Sequence, residues 1–250
     1  MFVDTHCHIS YEDYDNIDEL IMNIKNSKVE KIIVNGTDMK SNLFVLELVR
    51  KYDIVYGALG FHPTELDDFS YDYLDWLDKN IDNDKIVALG EIGLDYHYEN
   101  TDKEKQIDVL KRQLDIAVKH NKPIIFHCRD AIGDTYNILK KYNLKGTMHA
   151  YSGSLDMALK FIKLGYCLGV GGVVTFKNAK NIIEVIKNID LKYIVLETDA
   201  PFLTPEPYRG KKNDSSFIYL VAEKIALIKG ISCSDVAHIT NDVASELFDL

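Results

Sequence analysis

The chain has 250 residues, 46% hydrophobic and 27% charged, with a formal net charge of −10. That length suits one α/β barrel or two small domains, and it buries enough surface to hold a core without disulfides or a structural metal. The acidic balance excludes a protein that coats nucleic acid with its whole surface, since each phosphate contact wants a local cation, but leaves room for an enzyme that grips one strand with a few placed cations.

Taken in chain order, short apolar runs alternate with longer amphipathic stretches. The strand-like runs are 2–5, 31–35, 54–59, 86–89, 123–126, 146–148, 166–170 and 193–196. Most are rich in Ile, Val, Phe and Leu without polar alternation, as strands buried on both faces should be. Helical patterns fall at 17–27, 41–52, 71–80, 101–121, 131–142, 154–164, 180–187, 216–229 and 234–250. The clearest, 101–121, lines up Ile107, Leu110, Leu114, Ala117 and Val118, with Thr101 as its expected N-cap and Lys119 and His120 complementing the dipole at its end. The last opens with Ser232 three residues before Asp235, the spacing of a capping box. Repeated strand–helix alternation demands parallel strands joined by crossover helices, and a (β/α)8 TIM-type barrel in a single domain over 1–250 is the expected architecture.

The four cysteines, Cys7, Cys128, Cys167 and Cys233, form no CxxC and read as reduced thiols, not a secreted disulfide framework. The first ten residues carry Asp4, His6 and His8 where a signal peptide needs a basic then apolar run, and no stretch approaches a membrane span. A cytoplasmic monomer without membrane contact is expected.

The polar residues decide the function class. Of eight histidines, His6 and His8 follow the first apolar run, His127 the fifth and His149 the sixth; Glu91 follows the fourth and Asp199 the eighth. Far apart in sequence, these residues would meet in one ring at the C-terminal mouth of a barrel, where barrel enzymes keep their reactive groups. His6 and His8, two apart on a strand, point to one side and can share an ion. His127 and His149 can hold a second, with Glu91 bridging and Asp199 completing the first. Imidazole and carboxylate donors suit two divalent ions such as Zn2+, Mn2+ or Mg2+, and such pairs serve in-line displacements at phosphorus. Each piece has a plainer alternative: a hydrogen-bonded histidine pair, a paired structural carboxylate, an Asp capping a turn. Packing alone would instead put Ile and Val at all of these strand ends.

With those residues in place, the sequence resembles the TatD family of metal-dependent hydrolases, within the amidohydrolase-like barrels. The matching segments are Phe2-Val-Asp-Thr-His-Cys-His8, Gly60-Phe-His-Pro63, Gly90-Glu-Ile-Gly-Leu-Asp-Tyr96, Pro123-Ile-Ile-Phe-His-Cys-Arg129, His149-Ala-Tyr-Ser-Gly153 and Glu197-Thr-Asp-Ala-Pro-Phe202. The resemblance implies a TIM-type barrel, two divalent ions and 3′→5′ exonuclease or endonuclease activity on DNA. Carried over, His6, His8 and Asp199 would bind one metal, His127 and His149 the other, and Glu91 would bridge. Asp199 would also orient or deprotonate the attacking water, and His62 would touch the scissile phosphate or leaving oxygen.

Arg129, two after His127, is a candidate for phosphate oxygens, the alternative being an ion pair with Asp130. Arg209, Lys211 and Lys212 form the densest basic cluster and either grip the strand or form a solvated run. Here the family's pattern is broken: the Pro that usually follows this segment is missing after Asn213 and Asp214, which puts the loop's rigidity in doubt. Phe61, Tyr151 and Phe176 are candidate base-stacking aromatics with core or lid roles as alternatives, and Asp95 and Tyr96 are candidate supports of Glu91 in the same segment. The competing function is hydrolysis at a carbonyl carbon, by an amidohydrolase or an aminoacyl-tRNA deacylase. Many such barrels bridge their metals with a carboxylated Lys, and Lys85 lies at the wrong end of the fourth strand to serve. A binding module without catalysis would need a broken ligand set, and all six ligands are present.

Overall fold

A computed structural model describes residues 1–250. Eight strands form one parallel sheet in sequence order: β1 (Phe2–Cys7), β2 (Val29–Asn35), β3 (Val55–Leu59), β4 (Ile86–Asp95), β5 (Ile124–Arg129), β6 (Gly146–Met148), β7 (Tyr166–Val170) and β8 (Ile194–Leu196). The connecting helices are α1 (Ile17–Asn26), α2 (Met39–Lys51), α3 (Asp72–Asn80), α4 (Lys103–Lys119), α5 (Ile132–Leu139), α6 (Leu155–Lys163), α7 (Lys180–Asn188) and α8 (Ile218–Lys229), followed by α9 (Cys233–Phe248). Beyond β8 the chain returns to β1: Cys7 pairs with Ala200, the His8 N–H reaches the Ala200 carbonyl at 2.6 Å, and the Asp199 N–H reaches the His6 carbonyl at 2.9 Å. The sheet is thus a nearly closed barrel.

Strand alternation sorts the core. Ile32 and Val34 of β2, and Ile124 and Phe126 of β5, pack outward into the main cluster beneath the helices. Ile33, Ala58, Ala88 and Ile125 face the other way and meet Phe248, so the end of α9 fills the barrel interior. Strand ends differ from expectation where the chemistry begins. β1, β4 and β5 run on through polar residues, because Gly93, Leu94 and Asp95 still pair with His127, Cys128 and Arg129. A rule that ends strands where apolar residues stop cuts them short.

Helix α4 carries the largest departure. Asp102, not Thr101, is its N-cap, accepting from the Lys105 N–H. Val118 is exposed and Ile107 only half-buried, whereas Gln106 and Gln113 are buried. The reason is polar. Gln113 accepts from the Phe61 N–H at 2.8 Å and donates to the Phe61 carbonyl at 3.1 Å. Gln106 does the same at Asp95, at 2.9 and 3.0 Å, and also donates to the Pro63 carbonyl. Two glutamines therefore complete the backbone hydrogen bonding of the segments that carry His62 and the end of β4, which an apolar stripe cannot do. Gln113→Leu leaves both Phe61 backbone groups buried and unpaired. Unfolding in urea should show a loss of roughly 2–3 kcal/mol, with little change if the loop finds other partners. The capping box of α9 forms as its spacing predicts, with Ser232 and Asp235 bonded reciprocally.

Candidate metal centre

His6, Glu91 and His127 project from β1, β4 and β5, while His8, His149 and Asp199 stand just past the ends of β1, β6 and β8. All six meet. Glu91, 3% exposed, lies at the centre. Its Oε2 is 3.4 Å from the Nε2 atoms of both His6 and His8. Its Oε1 is 3.2 Å from His127 Nδ1, 3.4 Å from His149 Nε2 and 3.5 Å from His62 Nε2. Asp199 Oδ1 stands 3.7 Å from Nε2 of both His6 and His8. Three overlapping donor groups result: His6, His8 and Glu91; His6, His149 and Asp199; His62, Glu91 and His127.

For His8 and His127, hydrogen bonding on the far side of the ring sets the chemistry of the near side. His8 Nδ1 sits 3.0 Å from the Asn35 carbonyl and His127 Nε2 3.0 Å from Asp95 Oδ2; both partners only accept, so those nitrogens carry the protons. His149 Nδ1 faces Glu197 Oε1 at 3.3 Å. The nitrogens left over, with their lone pairs, converge on the Glu91 carboxylate, itself an acceptor. Facing acceptors repel unless cations or protons lie between them. A tetrahedral ion with bonds of about 2.0–2.2 Å sets its donors about 3.3–3.6 Å apart, and the spacings here, 3.2–3.7 Å, lie close to that range. The donor set fits divalent metal. His62 differs. The Thr64 N–H reaches its Nδ1 at 3.2 Å, so Nδ1 accepts and Nε2–H points into the centre as a donor.

The protein's own charges act in the same sense. Burial opposes a charged His149, but Glu91, Glu197 and Asp199 outweigh it and push its pKa up to about 10. Burial likewise opposes a charged His127, and Asp95 and Glu91 raise it. Burial lowers His6 well below its ordinary value, helped by His149. Desolvation works against the Glu91 carboxylate, yet the surrounding imidazoles, His62 and His149 foremost, hold it well below the usual range. Burial lifts Asp199 to about 7.

Supporting residues lie behind the donors. Asp95 backs His127 and not Glu91, and Tyr96 points outward to Asp134 at 3.1 Å, correcting the expected support of Glu91. Glu197 carries no role in the sequence reading, yet it is fully buried, accepts the Ala150 N–H at 2.6 Å and stands behind His149. Its position two residues before Asp199 at a strand end was the available signal. Gly93 (φ +151°) is required by close approach, since a Cβ there would lie 2.0 Å from the His127 carbonyl oxygen.

The expected phosphate-binding residues lie farther out. Arg129 is exposed over the Tyr98 ring, 5.9 Å from its centroid, while Asp130 pairs with His97 instead. Arg209 stacks 4.2 Å from the Phe176 centroid, Lys211 sits over Tyr208 at 5.3 Å, and Lys212 bonds the Asp13 carbonyl. Their loop is anchored without the missing Pro: Asn213 is buried and donates to the carbonyls of Thr198 and Phe202 at 2.9 and 2.7 Å. Of the candidate stacking aromatics, Phe61 and Tyr151 take the core alternative, 2% and 3% exposed. Phe176 is covered by Arg209. A cavity of about 700 Å3 does open over Glu91, His62, His127, His149 and Asp199, and it extends along the β1–α1 loop and α2. No helix is long and apolar enough to cross a membrane.

The chain is similar to known proteins over its full length. It is 41% identical over 252 residues to the metal-dependent hydrolase YabD of Bacillus subtilis, covering 99% of each chain. It is 32% identical over 255 residues to the metal-dependent hydrolase YcfH of Escherichia coli, covering 99% of this chain and 96% of that one. Among solved structures, YjjV, a TatD homologue from Escherichia coli, superposes with a TM-score of 0.93 at 31% identity, covering 100% of this chain and 98% of that one. A TatD-family hydrolase from Entamoeba histolytica has the same fold, with a TM-score of 0.86 at 23% identity over 99% of this chain and 97% of that one. Residues 3–249 match the family described as TatD related DNase, and the chain belongs to this family of metal-dependent hydrolases.

Proposed function

We propose that the chain hydrolyses phosphodiester bonds of DNA, using two divalent ions held by His6, His8, Glu91, His127, His149 and Asp199. The observation that carries this reading is the two-sided Glu91 carboxylate, with Oε2 toward His6 and His8 and Oε1 toward His127 and His149. A bridging carboxylate of this kind suits the paired ions that serve attack and departure at phosphorus. Ions held there supply charge that makes water more acidic and offsets negative charge building on a phosphoryl group. Asp199, beside His6 and His8, orients the attacking water and takes its proton. His62 donates from Nε2 to a phosphate or leaving oxygen, an orientation supported by the Thr64 N–H on its other nitrogen. Arg129, Arg209 and Lys211 hold strand phosphates beyond the centre.

Lys85 bonds the carbonyls of Tyr52 and Asp53, away from the centre, so no carboxylated lysine bridges the donors. This favours a TatD-type centre over one bridged by a carboxylated lysine. The test is end-labelled single-stranded DNA with Mg2+, Mn2+ or Zn2+ and with a chelator, resolved on a denaturing gel. Metal-dependent shortening, abolished by the chelator, is expected. Intact DNA under every metal would overturn the reading and make aminoacylated tRNA and cyclic amides the next substrates.

A further inference from the structure

The four imidazoles nearest Glu91 on β1, β5 and β6 are not backed alike. His127 and His149, which face Glu91 Oε1, each have a carboxylate behind them, Asp95 and Glu197. His8, facing Oε2, has only the Asn35 carbonyl, and His6 Nδ1 is buried with no partner. Glu197 stands just past β8, yet it reaches across β7 to the turn after β6. The chain leaves room for it: a Cβ on Gly169 of β7 would lie 2.1 Å from Glu197 Oε2, and one on Gly171 would lie 3.4 Å from its Cγ. At the turn, Oε1 accepts the Ala150 N–H at 2.6 Å and stands 3.3 Å from His149 Nδ1. Ala150 is held in a left-handed conformation (φ +45°), which a residue with a Cβ keeps only under outside contacts. Bracing that turn needs one acceptor oxygen and no charge. Yet a whole carboxylate is buried here, and both His149 Nδ1 and Glu197 Oε2 lack an aligned hydrogen-bond partner.

We propose that Glu197 is a positioning residue of the metal centre: it accepts from His149 Nδ1–H, fixes the ring with Nε2 toward Glu91, and so sets how tightly the ion shared by His127 and His149 is held. The inference rests on the two-ion reading above. Oε1 already accepts the Ala150 N–H, so it offers a lone pair to His149 as well, and Nδ1 keeps its proton. That leaves Nε2, 3.4 Å from Glu91 Oε1, as the nitrogen that can give its lone pair to an ion. A carboxylate behind an imidazole makes the ring a stronger donor and stops it from turning. Glu197 and Asp95 act on the same ion, because the two rings they back face the same Glu91 oxygen. The ion at His6 and His8 has no such support and is held independently of Glu197.

The experiment loads the full-length protein with Mn2+, titrates it with a chelator and counts the ions retained, with no substrate present. Glu197→Ala is expected to weaken one of two ions by roughly 10–100-fold and leave the other within about threefold. Glu197→Gln keeps an acceptor oxygen but loses the charge, and should weaken the same ion about fivefold. In a His149→Ala background, Glu197→Ala should add nothing, since its effect passes through that ring. With Zn2+ bound, the wild-type NMR spectrum should show a ring N–H proton far downfield that is absent in His149→Ala. It should move upfield in Glu197→Ala and less so in Glu197→Gln, which bracing of Ala150 alone would not cause. Both variants retaining two ions as the wild type does, equal weakening of both ions, or an unmoved His149 proton would each overturn the positioning role and leave the two-ion centre standing. Wild-type protein that holds a single Mn2+ would overturn the two-ion reading, and this inference with it.

Discussion

Glu91→Ala is expected to lower kcat by about 10^3-fold or more and to release bound metal, while the chain still folds. The carboxylate has two oxygens serving two sets of donors, and no neighbour can take over both. His127, His149 and His62 face one oxygen, and His6 and His8 face the other. An alanine leaves a cluster of imidazoles without the anion at its centre. Glu91→Gln is the sharper variant, since it keeps volume and one acceptor oxygen but loses the charge, so a large loss there is electrostatic and not a packing defect. Metal content after gel filtration, read beside kcat on an oligonucleotide, separates weak ion binding from slow chemistry. Near-full activity of Glu91→Ala at saturating metal would remove Glu91 as the bridge.

How far the sequence reveals this centre depends on what each residue must satisfy. The convergence of the six side chains is legible because titratable side chains at the ends of buried apolar strands have no packing reason to be there. His62 was readable only through the Gly-x-His-Pro resemblance, and its donor orientation is set by the Thr64 N–H, which no side-chain pattern encodes. Gln106 and Gln113 were hidden because they serve backbone groups of distant loops, and they displaced Ile107 and Val118 from the expected buried stripe. Phe61 and Tyr151 neighbour the motifs, which leaves a mouth role and a core role both open in the sequence. Adjacency in sequence to a strand end does not say whether a ring faces the cavity or the core, and both are buried. Tyr11, Phe44 and Phe202 reach the cavity from loops and a helix whose course only the folded chain defines.

The second large effect concerns stability. Asp4 is fully buried in β1 and binds across the place where the barrel closes. It accepts from the Thr198 hydroxyl at 2.6 Å, from the Thr198 N–H at 3.0 Å and from the His6 N–H at 3.2 Å. β8 contributes only three residues, so the segment that follows it depends on such side-chain bonds to stay beside β1. That segment holds Asp199 in a left-handed conformation (φ +55°), which needs surrounding contacts to persist. Asp4→Ala removes every acceptor at once and leaves three buried donors facing a void, whether or not the carboxyl is charged. The expected cost is roughly 3–5 kcal/mol, in the range for breaking a buried polar network. Asp4→Asn keeps an acceptor for the two N–H groups, and the Thr198 hydroxyl can turn to accept, so about 1 kcal/mol is expected. Urea unfolding followed by circular dichroism in excess chelator measures both without the added stability that metal binding would lend the folded state. A loss below about 1 kcal/mol for Asp4→Ala would show that the barrel seam holds without this carboxylate. A large loss, accompanied by a fall in activity of the surviving folded protein, would tie barrel closure and the placement of Asp199 to one buried side chain.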